Sequence, residues 1–278
     1  MTSPQAIASA TPLPTLNATE RLDSAEGPDG IDVEAESAAA DGDVGANRRA
    51  KRRAFRRDEI LRTALDLVTE GGLDAVTTTE LAKRTGAALG ALYRFFPSKA
   101  AVIAALQASA LENLSADLCA AVAEASARAE SSPARVRALA PIIAMADLFF
   151  AQHAREPARY RLIDEVMSKP TPLYDSTEAG VAEAAVQPLL TQVYELAATF
   201  TRESGGVVDA HLQRFPMALW GALHGATHFI KRDRLVDDNL QSRRVAGSLV
   251  RVLLKGLGAN NADVDAAAAI ARPSAIDV

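Results

Sequence analysis

The sequence is poor in cysteine and in aromatic residues, and it lacks long apolar runs. Its single cysteine, Cys119, cannot form a disulfide within the chain, which excludes a small disulfide-stabilised fold. The uncharged stretch 215–230 is shorter than the roughly 20 apolar residues that a membrane-spanning helix needs. The first 30 residues have neither the basic start nor the apolar segment of a signal peptide. We therefore expect a cytoplasmic protein without a transmembrane helix.

Signals for β-strands are missing as well. No segment shows apolar and polar residues alternating between tight glycine-containing turns. Apolar residues recur instead at helical spacing, as in the stripe of Ile60, Ala64 and Leu67 that ends at Gly71. Aromatic residues make up only 5% of the chain, so the core must consist mainly of Ala, Leu and Val. These features predict an all-α protein.

Charge is distributed unevenly along the chain. The net charge is −8 over residues 1–46, +6 over 47–106, −1 over 107–257 and −2 over 258–278. Residues 47–57 contain seven basic residues and no acid, a pattern suited to binding phosphate groups. A basic run can also be a solvated surface or a localisation signal. The residues that follow the run favour a polyanion as the partner.

A helix, a tight turn and a second helix are predicted directly after the basic run. Thr77 and Glu80 have the spacing of a capping box, which starts the first helix. Gly86 allows the backbone to turn, and Pro97 prevents the second helix from continuing. Such a pair fits the major groove of B-DNA, which is about 12 Å wide. The alternative is a small helical hairpin packed in a core.

The second helix of this pair is chemically suited to a DNA groove. Ala88, Gly90 and Ala91 are small enough to let the helix approach base edges. Tyr93 and Arg94, with Lys99 just beyond the helix, can reach phosphate oxygens. We therefore predict a helix-turn-helix DNA-binding domain with a basic N-terminal arm over residues 47–106.

This region resembles the tetracycline-repressor (TetR) family of bacterial transcriptional regulators. The resemblance covers residues 57–106 and rests on Ile60-Leu61, Ala64-Leu65, Gly71-Gly72, Val76-Thr77-Thr78, Glu80-Leu81-Ala82, Gly86, Gly90-x-Leu92-Tyr93-x-x-Phe96 and Pro97-Ser98-Lys99. It implies that the N-terminal helices bind operator DNA. It also implies that a divergent C-terminal helical region binds a small effector and forms a homodimer.

The resemblance assigns Thr78, Tyr93 and Lys99 to phosphate contacts and Leu89, Gly90 and Ala91 to base contacts. Two positions depart from the family pattern. Ala88 stands where the family often has Ser or Thr, so a helix cap is missing unless Thr85 replaces it. Phe95 stands where His or Tyr is frequent, which puts more weight on the basic arm. The DNA-binding candidates are Arg52, Arg53, Arg56, Arg57, Thr78, Ala88, Leu89, Gly90, Ala91, Tyr93, Arg94 and Lys99.

Residues 107–258 are predicted to be a helical effector-binding and dimerisation domain, with an apolar organic effector. The candidate effector-binding residues, chosen on inward-facing stripes, are Phe149, Phe150, His153, Tyr160, Tyr194, Trp220 and His224. A stripe in the last helix supports a homodimer and comprises Ala246, Leu249, Val250, Val252, Leu253 and Leu257. Residues 1–46 and 259–278 are expected to be disordered.

Motifs for catalysis, a cofactor or a metal are absent from the sequence. His224 and His228 have the i, i+4 spacing of metal ligands, but no third ligand accompanies them at a suitable spacing. No phosphate-binding glycine loop, Gly-x-Ser-x-Gly or His-Glu-x-x-His motif occurs. The sequence thus predicts a repressor released by an effector and not an enzyme. The alternative is an architectural helix-turn-helix protein without an effector, which solid packing of the C-terminal helices would favour.

Overall fold

Helices dominate the computed structural model, which describes residues 33–168, 176–272 and 274–278. No strand occurs among these residues, in agreement with the predicted all-α class. The chain separates into two compact units, Met1–Lys51 and Arg52–Val278. The helices are α1 (Val33–Gly71), α2 (Thr78–Thr85), α3 (Leu89–Tyr93), α4 (Lys99–Arg128), α5 (Ala134–Arg155), α6 (Pro157–Ser168), α7 (Ser176–Glu203), α8 (Phe215–Thr227), α9 (Ser242–Gly256) and α10 (Asn261–Ala271).

The start of α1 differs from the sequence prediction. Residues 1–32 of the segment expected to be disordered lie outside the described residues, but α1 already begins at Val33. Residues 33–40 are mostly Ala and Glu, which favour a helix without any apolar stripe to bury. The structure thus has a helix over residues 33–46, where composition and the lack of apolar periodicity favoured disorder.

Local signals set the boundaries of α2 and α3. The hydroxyl of Thr77 accepts a hydrogen bond from the amide of Glu80 at 3.1 Å, as its capping position predicts. Gly86 ends α2 in the left-handed region, with φ of 63°, which a residue with a Cβ adopts only with strain. Leu81 and Leu92 are fully buried and hold the two helices against α1. The helix-turn-helix is therefore present over the predicted residues.

Two apolar cores share α4. One contains buried residues of α1, α2, α3, α6 and the first part of α4. The other contains the end of α4 together with residues of α5, α7, α8, α9 and α10. Because α4 contributes to both cores, it is a physical connection between the helix-turn-helix and the C-terminal helices. None of the described helices is long and apolar enough to cross a membrane.

The sequence predicts a disordered tail after residue 258, and the structure shows that this is wrong. Helix α10 buries Val264, Ala267 and Ala271 and packs mainly against α5. Beyond it, one carboxylate oxygen of Asp147 accepts the backbone amides of residues 274, 275 and 276 at 2.9, 2.6 and 3.0 Å. Small alanines allow close helix packing that a search for a broad apolar stripe overlooks.

The predicted dimerisation stripe on α9 is partly used within the chain. Ala246 and Val250 have no exposed surface and belong to the C-terminal core. Leu249, Leu253 and Leu257 pack partly against the same core, whereas Val252 is 66% exposed. Helical periodicity cannot tell which part of a wide apolar stripe faces the chain's own core. Only the outer edge of the stripe is available to a second subunit.

Candidate functional site

Helix α3 presents a surface of small residues to solvent. Ala88, Leu89 and Gly90 are exposed, and Ala91 is half-buried. Leu92 on the opposite face is fully buried and anchors the helix to the domain. No bulky side chain stands on the exposed face before Tyr93 except Leu89, which is 45% exposed. The backbone of α3 can therefore come close to a flat or grooved partner.

Polar residues flank this surface. Tyr93 is 45% exposed, and Arg94 is also exposed. Thr78 is half-buried in the first turn of α2. Lys99 is half-buried, and its ammonium group donates to the carbonyl oxygen of Asp74 at 3.5 Å. The three assigned phosphate contacts therefore differ in accessibility, with Tyr93 the most open.

The basic arm continues the surface from α1. Arg52, Arg53, Arg56 and Arg57 are exposed. Arg56 forms an ion pair with Glu59 at 2.6 Å. The guanidinium of Arg57 lies 5.3 Å from the centre of the Phe96 ring, which follows α3 in the chain. Arg57 is therefore held beside the end of α3, where its charge adds to that of Arg94.

An ion-pair clamp that the sequence analysis missed joins α1 to α2. Arg84 donates to both carboxylate oxygens of Glu70 at 2.7 Å and to Glu80 at 3.0 Å. These hydrogen bonds hold the pKa of Glu70 and the pKa of Glu80 below their usual values. The i, i+4 spacing of Glu80 and Arg84 was a usable signal, whereas the contact with Glu70 spans 14 residues. The clamp links the end of α2 to the end of α1 on the surface of the domain.

Ala88 and Phe95, the two positions that depart from the family pattern, can be examined in the structure. Ala88 occupies the N-cap of α3 and makes no side-chain hydrogen bond there. Thr85 does not replace it, because its hydroxyl is buried and donates to the Leu81 carbonyl at 2.7 Å. Phe95 is half-buried and packs on the N-terminal core. No side chain therefore caps the start of α3.

A narrow apolar cavity of about 60 Å³ lies between α4, α5, α6, α7 and α8. Two predicted effector residues, Phe149 and Trp220, line it. The other lining residues are aliphatic and were not singled out from the sequence; they include Leu114, Met145, Ile163 and Leu189. Aliphatic residues carry no signal that separates a cavity wall from an ordinary core.

The remaining effector candidates lie elsewhere. Phe150 is buried in the C-terminal core, and Tyr194 packs against that core. His153, Tyr160 and His224 lie together outside the cavity lining, with the His153 and Tyr160 rings 4.9 Å apart. The Tyr160 hydroxyl lies 2.8 Å from Nδ1 of His224. The structure therefore divides the predicted residues into cavity wall, core and polar cluster.

Burial shifts the pKa values of the groups in this cluster. It lowers the pKa of His224, with repulsion from His228 acting in the same direction and attraction to Asp164 opposing it. It also lowers the pKa of His153, aided by the charge of Lys231, and raises the pKa of Tyr160. A histidine that protonates more readily in the unfolded chain makes the fold less stable as the pH falls through the ordinary histidine range.

The histidine pair is arranged for packing. The His224 and His228 rings are 4.6 Å apart at an interplanar angle of 80°, and Nδ1 of His228 lies 2.9 Å from the His224 carbonyl oxygen. Across residues 33–168, 176–272 and 274–278, no cluster of three or more His, Cys, Asp or Glu residues could hold a metal ion.

Two sequence comparisons relate this chain to bacterial transcriptional regulators. Residues 60–106 match the family described as bacterial regulatory proteins, tetR family. The HTH-type transcriptional repressor KstR of Rhodococcus jostii (strain RHA1) is 29% identical over 146 residues, which are 52% of this chain and 61% of that protein. The chain thus aligns with about three fifths of the length of this relative.

Solved structures resemble about three quarters of this chain in fold. A protein of unknown function from Rhodococcus sp. RHA1 is 20% identical, with a TM-score of 0.55, and covers 73% of this chain and 96% of its own. A protein described as a candidate tetR family transcription regulator from Shewanella sp. PV-4 is 17% identical, with a TM-score of 0.51 and coverages of 72% and 97%. At these identities the likeness concerns the fold alone.

Proposed function

We propose that this chain is a regulator of the tetR family of bacterial regulatory proteins, and that it is a transcriptional repressor released from DNA by a small effector. In this proposal the protein binds a palindromic operator as a homodimer. The repressor assignment is supported by the similarity to KstR, a transcriptional repressor by name.

The exposed face of α3 carries the DNA-binding part of the proposal. Ala88, Gly90 and Ala91 leave room for the helix to lie in a major groove, and the half-buried Ala91 would touch base edges. Tyr93, Arg94 and Arg57 stand beside this face and would bind phosphates. Because the match to regulatory proteins covers this region, a regulator is favoured over an enzyme.

Helices α8 and α9 would form the dimer interface. Met217 on α8 and Val252 on α9 are 45% and 66% exposed, and Gly221 and Gly256 allow close approach beside them. Two such pairs packed across a two-fold axis give a four-helix interface. A dimer presents two recognition helices about 34–36 Å apart, one turn of DNA or a multiple of it, so the operator would be palindromic.

The apolar cavity supports an effector over the architectural alternative. Its volume of about 60 Å³ is well below the roughly 300–1,000 Å³ of sites that hold drug-sized ligands. An effector must therefore displace the walls, and α4 is one of them. Since α4 also packs in the core of the helix-turn-helix, moving it would change the position of α3. A typical coupling of 1–3 kcal/mol would weaken operator binding about 5–150-fold.

Selection from randomised double-stranded DNA with the full chain tests the proposal. We expect enrichment of two-fold related half-sites and a dimer in light scattering at micromolar concentration. Ala91→Ser should change the enriched bases, whereas the same substitution at Ala120, exposed on α4, should leave them unchanged. Enrichment of single, unrelated sites, or a monomer, would contradict the proposal.

A further inference from the structure

The segment between α8 and α9, residues 229–240, exposes large apolar side chains, and we call it the clasp. These side chains are Phe229, Leu235, Val236 and Leu240, with exposed fractions of 45%, 75%, 37% and 60%. Three of them, Phe229, Val236 and Leu240, line one surface groove of about 320 Å³. Val245, near the start of α9, completes the apolar part of this groove. A contiguous exposed apolar patch marks an interaction surface.

Hydrogen bonds hold the clasp in this conformation. The carboxylate of Asp233 accepts from the backbone amide and the hydroxyl of Ser242 at 2.7 and 2.6 Å. The carboxylate of Asp238 accepts from the guanidinium of Arg244 at 2.5 Å. Both contacts fasten the clasp to the first turn of α9. A partner can therefore bind the exposed apolar side chains without first ordering the backbone that carries them.

Two glycines on α8 have no purpose within a single chain. Gly221 is exposed and Gly225 is half-buried, one helical turn further on. Neither has a positive φ, and a Cβ atom at either position would have no neighbour within 4 Å. Glycine within a helix is destabilising relative to alanine. Close approach of a second backbone from outside the chain is a physical reason for glycine at both positions.

The exposed face of α8 and α9 is small for a stable dimer. The two helices have 13 and 15 residues, many of them buried in the core of their own chain. The exposed or half-buried ones are mostly small and include Ala218, Gly221, Gly225, Ser248 and Gly256. A stable interface takes about 20–30 residues from each subunit.

The clasp continues this face of α9. Val245 lines the clasp groove, and the exposed Val252 follows it by seven residues, which is two helical turns. The clasp can therefore supply area that the two helices lack. It contains three bases and three acids, so a strongly charged partner gains little from it.

We propose that the clasp binds a second copy of this chain, with the two α8 helices antiparallel and Gly221 of each helix facing Gly225 of the other. In this register Met217 and Phe229, each four residues further out, lie opposite one another across the interface. Met217 is 45% exposed and enters the groove that Phe229 lines. Its flexible side chain suits an irregular apolar groove. This inference rests on the homodimer of the proposed function and names the surface that completes it.

A charge placed in the groove tests the clasp in the full-length protein. Leu240 is 60% exposed, so Leu240→Glu leaves the core of the subunit intact. Sedimentation equilibrium should show a dimer Kd raised about hundredfold, because a two-fold interface contains the change twice. Phe55→Glu is the control, since Phe55 is 65% exposed on α1 and should leave the dimer Kd unchanged.

Cross-linking tests the register. Met217→Cys and Phe229→Cys are combined in a Cys119→Ser background, which removes the exposed native thiol. A bismaleimide that spans about 10 Å, the distance between packed helices, should join two subunits. Within one chain the two positions are twelve residues apart, about 18 Å along a helix, and stay unlinked. No linked dimer from the double variant, or one from either single variant, would overturn the inference.

The outcomes separate this inference from the proposed function. If the wild type is a dimer and Leu240→Glu leaves its Kd unchanged, the clasp is wrong and the homodimer stands. If Leu240→Glu only splits a tetramer into dimers, the clasp joins dimers and the inference is overturned. If the subunits are linked as expected and no two-fold operator is selected, the clasp stands and the proposed function is wrong.

Discussion

Gly247 on α9 lies where the C-terminal tail crosses the helix. Replacing it with alanine should lower the free energy of unfolding of the full chain and raise that of a chain without the tail. A Cβ atom at this position would lie 1.8 Å from the carbonyl oxygen of Asp277 and 2.2 Å from its carbonyl carbon. These are backbone atoms and cannot rotate away as a side chain can. The tail must therefore move for the substitution to be accommodated.

The free-energy change follows from what the tail loses. Ile276 is 4% exposed, and releasing it forfeits about 1.5–3 kcal/mol of apolar burial. The hydrogen bonds to Asp147 are lost as well, and the chain entropy regained by the released residues opposes that loss. Alanine in a helix interior is more favourable than glycine by about 0.5–1 kcal/mol. We expect Gly247→Ala to lower the free energy of unfolding by about 1–2 kcal/mol in the full chain.

The control is the same substitution in a chain that ends at Arg272. Without residues 273–278 the contact with Asp277 is gone, and only the helix propensity remains. Gly247→Ala should then raise the free energy of unfolding by about 0.5–1 kcal/mol. Urea unfolding of the four proteins at one concentration measures both changes. Destabilisation by the same amount in both backgrounds would refute the reasoning.

Three further predictions concern DNA binding and pH. Tyr93→Phe should weaken binding to operator and unrelated DNA alike, about fivefold, in fluorescence anisotropy, and a changed base preference would be inconsistent with a phosphate contact. Arg57→Gln should make the slope of log affinity against log salt shallower by about one per subunit, and an unchanged slope would exclude a phosphate contact. Lowering the pH from about 7.5 to about 5.5 should lower the melting temperature, and the decrease should be smaller in His224→Gln. The reason is that burial lowers the pKa of His224, although the charge of Asp164 acts in the opposite direction. An identical pH dependence in that variant would contradict this assignment.

The local sequence was sufficient to predict the helix-turn-helix. Thr77 caps α2 through a residue three positions away, Gly86 adopts the left-handed conformation, and Pro97 follows the end of α3. Each of these effects depends on neighbours within one helical turn, so spacing alone could reveal it. The same holds for the all-α class, because apolar periodicity is also a local property.

Contacts between distant residues required the tertiary structure. The bond from Arg84 to Glu70, the fastening of the tail to Asp147 and the close approach at Gly247 join residues that the sequence keeps apart. No periodic pattern marks such contacts in advance.

The sequence by itself determined where the helices of the DNA-binding domain lie and which of its residues are polar. Only the tertiary structure decided which apolar residues line a cavity and which fill a core. Phe149 and Phe150 are neighbours in α5, yet the first lines the cavity and the second is buried in the core. Successive residues of a helix point about 100° apart, and whether a side chain meets space or packed atoms depends on the other helices around it.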